Sequence, residues 1–194
     1  MFASLLSLAL LGAHPSAGTL LTYEGEITAD REERVRKKIE YNALVVAAGE
    51  EGTHVYWSIT EKGHGAWPWV EQFGQVEIEQ GGKIIDGRPA SALFEHADGI
   101  SPVPLSFPVF TAAQALKQGA KWRSGRLQFL VRKPEESAVA AKSWQVDVST
   151  PIGHKRTVLV EKDRYVVTDV DEVVFVGPGK KHRLLLTRID EKLL

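Results

Sequence analysis

His64, Trp67, Trp69 and Phe73 stand in one short stretch bounded by Glu61 and Gly74. These side chains suit stacking and apolar contact better than bond-making chemistry. Pro68 holds the two tryptophans in an extended pair, and Gly63 and Gly65 open backbone conformations that other residues avoid. A loop of this kind presents aromatic faces to a sugar, a peptide or another apolar ligand. The other reading is that Trp67 and Trp69 fold back and plug one end of the domain. His64 with Glu61 or Glu71 supplies the residue types of an acid–base pair, but the spacing sets no geometry for it.

A second group, His96, Asp98 and Ser101, contains the types of a hydrolytic triad. Triads are assembled from distant segments on a rigid frame, and no Gly-x-Ser-x-Gly elbow is present. Asp98-Gly99 reads more simply as a turn. The histidines at 54, 64, 96, 154 and 182 follow no metal-ligand spacing, so no metal or other cofactor is expected. Gly177-Pro178-Gly179 is a turn and not a phosphate loop, because no helix opening on Lys-Ser/Thr follows it. The chain has no cysteine, which excludes thiol nucleophiles, disulfides and thiolate metal sites.

The elements that must position these residues have a period of two. Ile39, Tyr41, Ala43, Val45 and Ala47 alternate with Lys38, Glu40 and Asn42, as in a strand with one wet and one buried face. Gly49 to Gly52 breaks the run as a hairpin loop, and Val55, Trp57 and Ile59 resume it. Residues 20–28 precede these as another strand. Strands are also expected at 74–80 and 90–96. Residues 101–110 hold Pro102, Pro104 and Pro108, so they are extended but unsuited to a central ladder. Residues 111–118 are the one plausible helix, capped by Thr111 and stopped by Gly119. A meander then runs through Leu127–Val131, 144–148, 156–161, 165–170, 173–176 and 183–189. Trp122 and Trp144 fall at core positions of this pattern. The expected fold is an all-β antiparallel meander, forming a curved sheet, half-barrel or barrel with at most one short helix.

Length and composition fit one domain. The 194 residues are 43% hydrophobic and 25% charged, and net charge is −1. That balance gives no overall pull toward nucleic acid. The charged stretch 31–38 reads as a solvated hairpin end. Residues 1–11 are almost wholly apolar, and small residues with a proline follow to Gly18. This pattern is that of a signal peptide over residues 1–18, although no basic residue precedes the apolar run. Residues 19–194 then form a single β domain, periplasmic or secreted. The apolar run is too short to span a bilayer.

Two resemblances follow from these residues. The stretch from Trp144 to Ile189, with its Trp-Gln-Val-Asp-Val rhythm, Gly153 and Thr-Val-Leu-Val-Glu-Lys, is similar to exported carriers of the lipoprotein-localisation (LolA-like) type. That similarity implies a curved sheet wrapped round an apolar cavity. The segment from Trp57 through Trp67-Pro68-Trp69 to Phe73-Gly74, together with the Trp144 meander, resembles an exported protein group of planctomycete-type bacteria. Some members of that group precede thioredoxin-like domains. Without cysteine, any redox activity implied here belongs to a partner.

The functional expectation is therefore a non-enzymatic binding or accessory domain. Its site is the loop of His64, Trp67, Trp69 and Phe73, and its partner an apolar small molecule, a lipid or an envelope protein. Two alternatives stand beside it. One is a hydrolase using His64 or His96 with nearby carboxylates, and the other is a purely structural envelope module with a filled interior.

Overall fold

Alternating apolar and polar residues in long runs need partners along both strand edges and a cover over one face. The chain meets both needs. The computed structural model describes residues 14–29, 32–49, 51–62, 70–79, 82–96, 99–111, 116–134, 140–151, 153–177 and 180–194. The first group of strands is β1 (Thr19–Ala29), β2 (Glu32–Ala48), β3 (Gly52–Lys62), β4 (Val70–Glu79) and β5 (Ile84–Gly87). A separate hairpin follows, β6 (Ser91–His96) and β7 (Gly99–Pro104). The second group is β8 (Lys121–Ser124), β9 (Leu127–Arg132), β10 (Ser143–Ser149), β11 (Lys155–Glu161), β12 (Val167–Gly177) and β13 (Lys180–Leu193).

The two groups join into one eleven-stranded sheet in the order β5-β4-β3-β2-β1-β13-β12-β11-β10-β9-β8. Each neighbour is antiparallel, and the join at the centre pairs Thr19 with Leu193 and Ala29 with His182. The sheet does not close into a barrel. Its edges, β5 and β8, are four residues each and do not pair with one another. The segment that connects them covers the apolar face instead.

That covered face carries Leu21, Tyr23, Ile39, Tyr41, Val55, Trp57 and Ile59 from the first group, and Val146, Val158, Val170 and Leu184 from the second, all buried. The connecting segment contributes Ala92, Phe94, Val103, Leu105 and Val109 to the same core. It is fixed by backbone bonds, Phe110 N–H to Tyr165 (2.7 Å) and Val167 N–H to Pro108 (2.8 Å). Lys37 Nζ donates to the Leu93 carbonyl at 2.8 Å, and the Phe94 ring meets His182 edge-on at 4.8 Å. At its start, Trp57 Nε1 donates to the Arg88 carbonyl at 2.9 Å and the Arg88 guanidinium lies 5.5 Å from the Trp57 ring centre. Gly74 leaves room for that indole, since a Cβ there would stand 2.7 Å from Trp57.

The structure differs from the sequence expectation at several places. Residues 165–176 do not form two strands. β12 runs unbroken through Asp171 and Glu172, because the first pairs with Arg183 and the second is buried against Arg156. A bulge between Val45 and Ala47 moves Ala47 opposite His54, so the apolar alternation of β2 ends at Val45 and Ala47 is exposed. Thr111 and residues 116–118 are not helical, while 112–115 lie outside the described residues. Among the described residues the one helical turn is the 3-10 turn Ala140–Lys142. Pro102 and Pro104 do sit in a two-stranded ladder, β6 with β7, where a missing N–H has no cost on the outer edge. The stretch 31–38 is mostly strand, with Arg36 exposed and Lys37 turned to the connecting segment.

Candidate functional site

The connecting segment takes one face of the sheet, so the opposite face is the open one. Its residues follow from the register. From β2, Lys38, Glu40, Asn42 and Leu44 point to it, and from β3 His54, Tyr56, Ser58 and Thr60. β4 adds Phe73 and Gln75 opposite Ser58 and Tyr56.

Phe73 is 74% exposed and Tyr56 48% exposed. They occupy adjacent strands on the open face, one diagonal step apart in register. The Tyr56 ring lies 5.1 Å from that of His54. Leu44 and Leu20 stand in line with Tyr56 across β2 and β1. The result is an apolar strip with an aromatic end. Arg88 Nη2 donates to the Phe73 carbonyl at 2.9 Å, which fixes this part of β4 against the start of the connecting segment.

Of the residues expected at the site, Phe73 is thus placed on the open face. His64, Trp67 and Trp69 lie outside the described residues. Glu61 does not face the open side. It pairs in register with Ile39 and lies 3.5 Å from Lys37 Nζ. In the β6–β7 hairpin, the register sets His96 opposite Gly99 and Ser101 opposite Phe94, and Asp98 lies outside the described residues.

A histidine–carboxylate contact that spacing did not reveal is His154 Nε2 to Glu172 Oε1, 2.8 Å. Glu172 is 2% exposed. Arg156 Nη2 donates to the same oxygen at 2.8 Å and Arg156 Nε stands 2.8 Å from the other. The guanidinium therefore hydrogen-bonds one carboxylate oxygen and stands in ion-pair range of the other, which makes the cluster an ion-pair clamp. No group of three or more His, Asp or Glu suited to a metal is present among the described residues.

Beside the strip the open face is polar on β1 and β2, while Leu185 and Phe175 are exposed apolar side chains farther along it on β13 and β12. Thr22 Oγ1 and Asn42 Oδ1 are 2.9 Å apart, and Lys62 Nζ reaches Glu24 at 2.7 Å and Glu40 at 3.2 Å. The Lys62 hydrogen bond holds the Glu24 carboxyl below its ordinary range, and Glu24 in turn raises Lys62. A groove of about 860 Å³ lies over β8–β11, lined in part by Lys121, Arg123, Gln128, Ser149 and Lys155. The alternation of Lys121, Trp122 and Arg123 is visible in the sequence, but their convergence with Lys155 depends on a register across four strands.

Comparison with protein-family models, with curated proteins and with solved structures returns no match.

Proposed function

We propose that this chain is an exported, non-catalytic binding domain that docks a partner protein on the open face of its sheet, at the aromatic end of the apolar strip. The observation that carries this reading is the exposure of Phe73 and Tyr56 side by side on a face the fold leaves uncovered. Large aromatics in such a position cost solvation when bare and suit the centre of an interface. The polar ladder of Thr22, Asn42, Glu40 and Lys62 borders the strip, as a rim borders an interface core. The covered face is filled by Phe94, Val103, Leu105 and Val109, which favours a surface-bound partner over an enclosed apolar cargo. The sequence places His64, Trp67 and Trp69 shortly before Phe73, which adds aromatic residues next to it along the chain. Export is supported by the apolar run at residues 1–11.

The test places a photo-crosslinking residue at position 73 and, separately, at the exposed position Lys117, in cells that naturally make the protein. Supporting the proposal is one adduct of fixed mass from position 73, absent from position 117 and lost when Tyr56→Ser is added. Equal adducts from both positions, or an adduct insensitive to Tyr56→Ser, overturn it. Phe73 is largely exposed and Tyr56 about half exposed, so the changes leave the buried core intact.

A further inference from the structure

The chain as a whole has a net charge of −1, yet one part of the open face collects cations without partners. The groove over β8–β11 is bounded by Lys121 and Arg123 on β8 and by Lys155 on β11, all exposed. Among the described residues none of the three has a carboxylate within ion-pair range. The one carboxylate lining the groove, Asp147, is already held by Arg132 at 2.7 Å. Arg156, at the groove's margin, is held by Glu172.

The register sets these groups in a row. Arg123 is opposite Gln128, Gln128 opposite Ser149, and Ser149 opposite Lys155. The order across the strands is cation, amide, hydroxyl, cation. Three strand spacings of about 4.8 Å separate the outer backbone positions by about 14 Å. Trp122 and Phe129, stacked with ring centres 4.7 Å apart, alternate with these groups and turn to the covered face, where they pack on the core beneath the row.

We propose that this groove binds an acidic oligosaccharide. A lone phosphate spans backbone positions about 14 Å apart only if both long side chains fold inward over Gln128 and Ser149. Duplex or single-stranded nucleic acid draws its affinity from many backbone contacts, roughly 6–10 in well-studied cases, and three unneutralised cations fall short of that. Spaced anionic groups separated by neutral hydroxyls match the row. The carboxylates meet Arg123 and Lys155, and the hydroxyls meet Gln128 and Ser149. This site is separate from Phe73 and does not depend on the docking proposal.

Calorimetric titration of the protein with a galacturonic acid hexamer tests the inference. Its methyl ester, polyphosphate and a single-stranded oligonucleotide serve as comparison ligands. The hexamer binds, and its affinity falls at least tenfold on esterification, at least tenfold in Arg123→Ala/Lys155→Ala, and not in Lys181→Ala. Lys181 is a cation of the same face, set against the Phe175 ring and outside the groove. Absence of binding at millimolar hexamer overturns the proposal, as does binding indifferent to the Arg123 and Lys155 changes. Equal or tighter binding of polyphosphate or the oligonucleotide with the same sensitivity also overturns it, since the groove is then a general anion site.

Discussion

At the scale of single residues, the polar groups around the covered face decide how the protein responds to pH and to small changes. Glu161, Arg164, Arg188 and Glu191 form a closed ring of ion pairs. Arg164 lies 2.8 Å from Glu161 and donates to Glu191, and Arg188 contacts both acids. The hydrogen bond from Arg164 is the main cause holding the Glu191 carboxyl below its ordinary 4.5. A carboxyl depressed in the folded state stabilises the fold above its unfolded value. That stability is lost as pH falls through the lower folded value. Glu191→Gln is therefore expected to flatten the acid side of a stability-versus-pH curve below about 4.5. Its cost at neutral pH is no more than about 1 kcal/mol, because the ring is partly solvated. Chemical denaturation at pH 7 and at pH 3.5 measures both. Gly25 answers to packing. A Cβ there meets Ile39 and Leu186 at 2.7 Å, so Gly25→Ala overpacks the centre of the core. A loss of about 1–3 kcal/mol is expected in the same denaturation experiment. The apolar partners Ile39 and Leu186 are legible from their alternation. The need for glycine between them is not, because it comes from the convergence of three strands.

Elements show the same division between local pattern and distant register. The buried faces of β1, β3, β10 and β11 follow their own alternation, and residues such as Val55, Trp57 and Ile59 could be assigned to the core from sequence. β12 could not be read whole, since Asp171-Glu172 has the look of a turn. Only the strand on either side supplies Arg183 for one acid and Arg156 for the other. Amide hydrogen exchange separates the two readings: Asp171 and Glu172 are expected to exchange as slowly as Val170 and Val173, where a turn exchanges fast. The clamp itself gives a further prediction. Arg156→Ala strands a buried carboxylate and is expected to cost about 3–5 kcal/mol, whereas Arg156→Met with Glu172→Leu recovers most of it. Thermal unfolding of the two variants reads the difference. The edges β5 and β8 escaped sequence reading because four-residue strands carry too little alternation to stand out. Lys121 and Arg123 put positive charge on the β8 edge strand, which disfavours pairing with another chain.

The whole molecule is organised by one long-range join and one crossing. β1 and β13 come from opposite ends of the described chain, and Gly18 extends the join by accepting from Leu194 N–H at 3.0 Å and donating to the Val45 carbonyl at 2.8 Å. A chain beginning at Thr19 loses both bonds but keeps the strand pairing. It is expected to fold to the same sheet with a stability lower by about 1–2 kcal/mol, by comparison of circular dichroism and denaturation with the full chain. The period-two runs made the all-β antiparallel meander legible. They did not show that the segment between β5 and β8 would cover the apolar face and leave the sheet unclosed, because its Pro-rich, irregular sequence carries little periodicity. That crossing is what leaves one face bare, and it sets Phe73 there among partners that no linear stretch contains. The absence of cysteine makes this face open to a direct test. Phe73→Cys introduces a single thiol, and its rate of modification can be measured in the purified protein and in the intact cell envelope. The docking account predicts fast modification of the purified protein and at least tenfold slower modification in the envelope, with Lys117→Cys, at an exposed position outside both proposed sites, modified at comparable rates in both. Equal rates for Phe73→Cys in the two settings contradict it.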